Sequence, residues 1–276
     1  MGKRNLVIGG FSGYNYNQIK PWVLSIDLNV RDCDKVMVVG TTDNDTRTKL
    51  LDLGWEIETL PKVKAPIHVA RFLGIYEYLR ERHDQYGWVV TTDVRDVVFQ
   101  ANPFPWLDAM HAAKPFELIA GSESIRYRDE PWGNYNLLEA YGPFVHERFK
   151  DNIIYNVGTL GGTAEYLKDL VFQLFFNGIN RPIPIVDQAV YNVLLQTQPY
   201  KGATFFASQG DGWACQAGTT VDPKKIAEFR PKLTEAEPYW KDGVAYASTG
   251  KPFVLVHQYD RVPQWEQYYK TLYGQT

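Results

Sequence analysis

The 276-residue sequence predicts an α/β fold with a mostly parallel central sheet and helices on both faces. Short apolar runs near positions 6–8, 35–39 and 87–92 have the length of buried strands. Segments with apolar residues at helical spacing separate these runs. Hydrophobic residues make up 45% of the chain, enough for one sizeable core. Because we find no repeat, low-complexity segment or linker, we expect a single domain over residues 1–276.

The first half of the chain alternates between the two element types. We predict strands at 6–8, 35–39, 55–60 and 87–92, and helices at 17–30, 46–53 and 66–83. Pro21 falls in the first turn of the first helix, where proline is tolerated. Gly54 is a candidate helix C-cap. This order predicts parallel strands whose carboxyl ends, the usual place for ligands, lie at one edge of the sheet.

The second half is less regular. We predict strands at 118–121, 153–156, 205–207 and 253–257, helices at 164–177 and 187–195, and loop with a short helix over 122–150. Pro182 and Pro184 indicate a turn rather than a domain boundary.

A glycine-rich segment follows the first predicted strand. Gly9, Gly10, Phe11 and Tyr14 are candidates for nucleotide contact, because glycine lets a backbone approach a ligand closely. The segment does not match Gly-x-Gly-x-x-Gly, and no Walker lysine follows it. A loop that wraps a base or ribose and a plain tight turn therefore both remain open.

An acidic cluster ends the fourth predicted strand. Thr92, Asp93, Arg95 and Asp96 follow an apolar run, and a second apolar run comes next. Buried carboxylates need partners, and divalent cations with phosphate oxygens are suitable ones. The cluster therefore predicts a metal site at a sheet edge, and an ion pair between Arg95 and an aspartate is the structural alternative.

Three basic side chains are further candidates. His257 ends the apolar run 253–256, and imidazole completes many manganese sites when carboxylates are near. Arg261 offers bidentate contacts to a diphosphate. Arg71, on the helix before the fourth strand, is placed to reach a nucleotide. A structural histidine and solvated arginines are the alternatives.

Composition excludes several classes of protein. A net charge of −3 and the absence of a basic patch argue against nucleic-acid binding. Two distant cysteines form no disulfide framework and favour a reducing, cytoplasmic setting. No segment has the roughly 20 apolar residues of a membrane span, and the basic N-terminus precedes too short an apolar run for a signal peptide.

The motifs, taken in order, resemble the GT-A glycosyltransferases. The resemblance rests on Asp93-x-Arg95-Asp96, Asn156-x-Gly158 with Gly161-Gly162, Asp187-Gln188 and Val-His257-Gln, and covers residues 5–262. It is greatest for the glycogenin-type branch and the small capsid glycosyltransferases of large algal viruses. The sequence departs from the usual Asp-x-Asp motif, because Arg95 stands in the place of the second aspartate and Asp96 follows one residue later.

The resemblance implies a Rossmann-like GT-A domain with a smaller acceptor-side subregion. We expect a nucleotide-sugar half at about 1–120 and an acceptor half at about 121–276. The resemblance also implies that Asp93 and Asp96 bind Mn²⁺ or Mg²⁺ and the donor diphosphate, with His257 as a late ligand. Asn156, Gly158 and Asp187 would line the sugar pocket. The donor would be a nucleotide diphosphate sugar, first of all a UDP-sugar, and the acceptor a glycan or glycoprotein in the cytoplasm (the host cytoplasm for a viral protein).

The stereochemical course stays open. An inverting enzyme needs a carboxylate base near the acceptor hydroxyl, for which Asp187, Asp211 and Glu123 are candidates in that order. A helix N-cap for Asp187 and a plain turn for Asp211 are the alternatives. A retaining enzyme needs no such base. Trp132 and Trp213 are candidates for stacking on an acceptor sugar.

Three rival functions are weighed. A sugar-nucleotide pyrophosphorylase usually has basic residues in its first glycine-rich loop, and none lies between Gly9 and Gln18. A haloacid-type phosphatase has its acidic motif after the first strand, whereas here it follows the fourth. A non-catalytic module that binds nucleotide or glycan is favoured by Arg95 alone.

Overall fold

The structure, a computed structural model, describes residues 2–274. Its strands are β1 (Arg4–Phe11), β2 (Cys33–Val39), β3 (Glu56–Thr59), β4 (Tyr86–Thr92), β5 (Val97–Phe99), β6 (Leu118–Arg126), β7 (Ile153–Tyr155), β8 (Thr159–Thr163), β9 (Thr204–Ala207), β10 (Ala214–Gln216), β11 (Tyr239–Lys241), β12 (Val244–Tyr246) and β13 (Leu255–His257). Its helices are α1 (Tyr16–Asn29), α2 (Asn44–Asp52), α3 (Ile67–Arg82), α4 (Pro103–Ala113), α5 (Pro131–Phe149), α6 (Ala164–Gly178), α7 (Asp187–Leu195), α8 (Tyr200–Ala203), α9 (Ala217–Thr220), α10 (Ile226–Phe229) and α11 (Pro263–Tyr273).

The central sheet has the strand order β3-β2-β1-β4-β8-β6-β7, with β9 also paired to β6. Strands β3, β2, β1 and β4 are parallel, as the alternation of strands and helices predicts. Strand β8 pairs antiparallel to both β4 and β6. One hydrophobic cluster packs α3, α6 and α7 on the sheet, and another packs α1, α2 and α4. The predicted α/β class, with helices on both faces, is confirmed.

A second sheet of three strands, β10-β13-β5, begins directly after the acidic cluster. Strand β4 ends at Thr92 in the central sheet, and β5 begins at Val97 in the second one. Strand β5 pairs antiparallel to β13, with Val97 opposite His257. Asp93 and Asp96 therefore lie where the chain crosses from one sheet to the other. His257, at the end of β13, therefore belongs to the second sheet and not to the central sheet that contains β4, because β13 pairs with β5.

The glycine-rich segment is also not where we expected it. Strand β1 runs to Phe11, and its Gly9, Gly10 and Phe11 pair with β2, so no loop forms at the glycines. A side chain at Gly9 would meet Val94 and Trp22 within 3 Å, which explains glycine there by close packing.

Two other predictions need correction, and one is confirmed. Residues 122–150 are not mainly loop, since β6 continues to Arg126 and α5 runs from Pro131 to Phe149. Gly142 kinks this helix with a left-handed φ of 76°, which explains why the helical spacing was hard to detect. Pro21 lies inside α1 rather than in its first turn. Gly54 has the left-handed φ typical of a helix end, as predicted.

No helix within residues 2–274 combines the length and the apolar character that crossing a lipid bilayer requires.

Candidate active site

Two clefts meet at the carboxyl ends of β1 and β4. The larger has a volume of about 430 Å³ and extends toward α5, α7 and α9. The smaller, of about 130 Å³, lies between the end of β1 and the start of α3. Arg71, Asp93 and Asp96 line both clefts. The acidic cluster therefore forms the boundary between two compartments, at the sheet edge where ligands bind in open α/β folds.

Two carboxylates and an imidazole face one another at this boundary. Nε2 of His257 lies 3.6 Å from Oδ2 of Asp93 and 3.7 Å from Oδ1 of Asp96. One potential ligand atom from each residue lies within 4.8 Å of the other two. Asp96 and His257 are buried, whereas Asp93 is partly exposed. This arrangement surrounds a point that a small cation can occupy.

Each carboxylate divides its two oxygens in the same way. Oδ1 of Asp93 accepts from Arg71, which leaves Oδ2 facing His257. Oδ2 of Asp96 is 3.6 Å from Nη2 of Arg95, which leaves Oδ1 facing His257. The arginines thus hold both carboxylates in place without filling the space between them.

A buried glutamine orients the imidazole. Nδ1 of His257 lies 2.8 Å from Oε1 of Gln216, and Nε2 of Gln216 donates to Oγ1 of Thr159 at 3.1 Å. Gln216 and Thr159 are completely buried. Because the amide is held in this way, Nδ1 donates to Oε1 of Gln216, and Nε2 is the nitrogen that faces the carboxylates and would bind a cation. An outer partner of this kind accompanies most metal-binding histidines.

Arg71 connects the boundary to α7. Its Nη2 lies 3.2 Å from Oδ2 of Asp187, the first residue of α7, while Nη1 holds Asp93. Val186, not Asp187, is the N-cap, so the capping alternative for Asp187 is wrong. The buried Nε of Arg71 has no hydrogen-bond partner within the described residues. The side chain thus pairs with two carboxylates while one buried donor stays without a partner.

The pKa shifts follow from this crowding of charge. Burial would raise the pKa of Asp93, but Arg71 and His257 hold it well below its usual value. Burial, together with neighbouring aspartates, raises the pKa of Asp96 and of Asp187. Burial alone would lower the pKa of His257, but Asp93 and Asp96 outweigh it and raise this pKa. A cation added between these groups would relieve their mutual repulsion.

The residues present fit a divalent metal. Two carboxylate oxygens are hard donors that Mn²⁺ and Mg²⁺ both accept, and one imidazole nitrogen, a borderline donor, completes the set. Gly158 leaves room beside them, because a Cβ there would lie 2.7 Å from Oδ2 of Asp93 and 2.9 Å from Cε1 of His257. Asn156 orients this turn by accepting from the Gly158 N–H at 2.6 Å.

The structure brings most of the other predicted residues to one of the two clefts. Gly10, Phe11, Tyr14 and Arg95 line the smaller cleft. Glu123, Asn156, Gly158, Asp187 and Arg261 line the larger one.

Four predicted residues lie elsewhere. Gly9 is packed inside β1, and the buried hydroxyl of Thr92 accepts from the Trp22 indole at 2.6 Å. Asp211 accepts a hydrogen bond from the backbone N–H of Ser208 at 2.8 Å and so caps the turn there. It does not line the larger cleft. Trp213 was considered for sugar stacking, but it is completely buried and donates to the Thr159 carbonyl.

Sequence reasoning missed Gln216, Glu130 and Asp222. Gln216 ends a strand of three residues, too short to show a pattern. Glu130 caps α5 within the region predicted as loop, and Asp222 follows the one-turn helix α9; both line the larger cleft. For Glu130, the sequence does contain one usable sign: Pro131 follows it directly, and proline is common at the first position of a helix.

Comparison with known proteins supports the fold. No family model and no curated protein sequence matches the chain. The structure is similar to mouse xyloside xylosyltransferase 1 in its apo form, with a TM-score of 0.54, 11% identity, and coverage of 93% of this chain and 97% of that one. It is also similar to the galactosyltransferase LgtC in complex with donor and acceptor sugar analogues, with a TM-score of 0.56, 12% identity, and coverage of 98% and 95%.

A third similar structure is the apo form of the bifunctional glycosyltransferase WbbM, with a TM-score of 0.51 and 13% identity. The match covers 98% of this chain and 52% of that one. The chain therefore has the GT-A glycosyltransferase fold, as its motifs led us to expect. A place in the glycogenin-type branch and a viral origin remain predictions.

Proposed function

We propose that the protein is a glycosyltransferase that moves a sugar from a nucleotide diphosphate sugar to a hydroxyl of a glycan or glycoprotein. The observation that carries this proposal is the group of Asp93, Asp96 and His257 at the meeting point of two clefts in a GT-A fold. A donor of this kind has two parts joined by a diphosphate. Two compartments joined at a cation site match that shape.

The smaller cleft is our candidate for the nucleoside. The rings of Phe11 and Tyr14 are stacked with centroids 6.2 Å apart, and both line this cleft. Uracil, the base of the UDP-sugar that the resemblance implies, is the base that we place there. Arg71 and Arg95 lie on the path from this cleft to the acidic pair, where a diphosphate would need positive charge. Arg261 lines the larger cleft and adds a third positive charge near the two clefts.

Asp93, Asp96 and His257 would hold Mn²⁺ or Mg²⁺. When bound, such an ion supplies Lewis-acid stabilisation of the negative charge on the leaving diphosphate. The chain's own contribution is to fix the ligands. Arg71 and Arg95 orient the carboxylates, and Gln216 orients the imidazole. Fixed ligands stabilise developing charge without reorganising during the reaction.

The larger cleft would hold the transferred sugar and the acceptor. Asp187, next to Arg71, is the carboxylate that we place beside the reacting sugar. Residues of the first part of the chain, about 1–120, form the smaller cleft, whereas Glu123, Asn156 and Asp187 come from the remainder. The proposed division into donor and acceptor halves agrees with this distribution. By their names, two of the similar structures transfer a pentose and a hexose, so both classes of sugar are candidates for the transferred sugar.

A non-catalytic binding module is the alternative that Arg95 favours. Nη2 of Arg95 lies 3.5 Å from Oδ2 of Asp260 and 3.6 Å from Oδ2 of Asp96, and the side chain is 44% exposed. The guanidinium therefore lies beside the acidic pair and not between its members. Because the guanidinium leaves the space between the two carboxylates empty of protein charge, that space supports our assignment of a cation site. The free thiols of Cys33 and Cys215 agree with the cytoplasmic setting that we propose.

A thermal-shift screen of nucleotides and nucleotide sugars, with and without Mn²⁺, tests the proposal. At a hundredfold excess over Kd, a ligand of the native state should raise the melting temperature by roughly 5 °C. We expect a manganese-dependent shift with one nucleotide class that is lost in Asp93→Ala. The absence of a shift with every nucleotide and metal would contradict the proposed function.

A further inference from the structure

One exposed aromatic side chain lies at the mouth of the larger cleft. The chain has eight tryptophans, and Trp132 is 46% exposed, whereas the other seven are buried or half-buried. Those seven each contact another aromatic ring. Within residues 2–274, Trp132 has neither a ring contact nor a hydrogen bond from its indole. It therefore has no evident structural role, although it lines the cleft.

The surroundings of Trp132 are polar in a specific way. Glu130, which is buried, caps α5 by accepting from the backbone N–H groups of Trp132 and Gly133. Glu130, Asp222 and Lys225 line the same cleft as the indole. A flat ring next to carboxylates suits a pyranose, because the C–H face of the sugar packs on the ring while its hydroxyls donate to the carboxylates.

The aromatic surface continues beyond the cleft. Tyr135 follows Trp132 by three residues on α5, so the two side chains are neighbours on the helix surface. Tyr135 is 57% exposed and, like Trp132, contacts no other ring in the described part of the chain. The surface thus extends outward from the cleft along α5.

We propose that Trp132 and Tyr135 form a platform that binds the acceptor glycan chain outside the cleft. The acceptor is then an oligosaccharide or a glycan of at least two sugar units, rather than a monosaccharide. This inference rests on the proposed function, and it specifies the acceptor class of the same site. The continuity of Trp132 with the cleft, and the carboxylates beside it, favour a glycan over a lipid surface as the occupant.

Alanine substitutions along α5 test the platform. The probe is an array of immobilised mono- to hexasaccharides, measured in the presence of Mn²⁺ and UDP. We expect wild-type binding to increase with chain length and to fall about tenfold in Trp132→Ala. Tyr135→Ala should lose binding only to the longer glycans, and Trp132→Phe, which keeps a flat ring, should retain most of it. Because both residues are exposed, all three variants should fold.

Phe144→Ala is the matched control. Phe144 is 75% exposed on the same helix, but it lies beyond the kink at Gly142 and does not line the cleft. An equal loss in Phe144→Ala, no dependence on chain length, or no glycan binding by the wild type would overturn the inference. So would loss in Trp132→Ala of binding to phosphatidylcholine–phosphatidylglycerol vesicles but not to glycans.

Donor hydrolysis separates this inference from the function on which it rests. Release of nucleoside diphosphate without an acceptor depends on the cation site and not on the platform. If the wild type hydrolyses no donor, the proposed function fails. If the wild type hydrolyses a donor but Trp132→Ala binds glycans as the wild type does, only the platform fails.

Discussion

At the scale of single residues, the imidazole of His257 depends on a partner outside the cation site. Gln216 accepts from Nδ1, and Thr159 fixes the amide in turn. Outer partners of this kind typically change metal affinity by one to two orders of magnitude. The geometry of the three potential ligands is thus set by side chains that never touch the metal.

We predict that Gln216→Leu weakens Mn²⁺ binding about 10- to 100-fold, because His257 loses its orientation. Electron paramagnetic resonance of free Mn²⁺ measures this affinity without a substrate. Gln216→Glu, which still accepts from Nδ1, should restore binding. Gln209→Leu is the control, since Gln209 is an equally buried glutamine that donates to Ser124 away from the site. Equal loss in both leucine variants would indicate general destabilisation instead.

A second prediction at this scale concerns cysteine reactivity. Burial, opposed by Lys35, raises the pKa of Cys33 to about 11. The thiolate is the reactive form, so alkylation at pH 8 should be about 100-fold slower than for a thiol whose pKa is near 9. The rate should rise about tenfold per pH unit up to pH 10. Timed iodoacetamide labelling followed by mass spectrometry of the Cys33 peptide checks this. A rate that matches glutathione would contradict it.

At the scale of elements, the site depends on the short turn between β7 and β8. Gly158 lies in this turn, and its missing side chain leaves room for the ligand groups. The neighbouring Asn156 donates to Glu123 at 2.7 Å and also accepts from the Gly158 N–H, so it holds the turn against the cleft wall. The turn thus fixes the distance between Asp93 and His257.

We predict that Gly158→Ala reduces Mn²⁺ affinity by roughly tenfold or more, because the added methyl group would push Asp93 and His257 apart. Isothermal titration with Mn²⁺ measures the change. Gly87→Ala is the control, since the nearest atom to a Cβ there is 3.6 Å away and no site residue is near. Unchanged affinity in Gly158→Ala would mean that the ligands do not converge as described.

How far the sequence predicts each element depends on what holds that element in place. Local pattern predicts β4 because its apolar run ends in recognisable polar residues, and α7 because Asp187 begins a segment of helical character. It does not predict that β5 and β13 form a second sheet, because pairing between residues so distant in sequence has no local sign. The assignment of Asp93, Asp96 and His257 as a group came from motif order. Trp132 was already a stacking candidate in the sequence, whereas Gln216 and Tyr135 gained their roles only from three-dimensional placement.

At the scale of the whole molecule, the central sheet and the second sheet meet at a site where several carboxylates lie close together. The raised pKa of Asp96 and of Asp187 means that folding favours their protonated forms. Each therefore supports folding below the pKa of the unfolded chain and loses that contribution as pH rises through its folded pKa. At neutral pH both reduce the stability of the metal-free protein.

We predict that Asp96→Asn raises the melting temperature of the metal-free protein by roughly 2–4 °C, because it removes a buried charge that lacks a full partner. The same change should abolish the additional stabilisation by Mn²⁺. Calorimetry at pH 7.5 with EDTA, and then with Mn²⁺, checks both halves of the prediction. A variant that is less stable without metal and still responds to Mn²⁺ would show that Asp96 has a purely structural role.

Donor turnover tests the central claim most directly. Wild type and Asp93→Asn are incubated with UDP-, GDP- and CMP-linked sugars in Mn²⁺ or in EDTA, and nucleotide release is measured. We predict release from one nucleotide class in Mn²⁺ alone, reduced at least roughly 100-fold in Asp93→Asn. Release from no donor, or release that is unaffected by EDTA and by Asp93→Asn, would contradict a metal-assisted glycosyltransferase built on Asp93, Asp96 and His257.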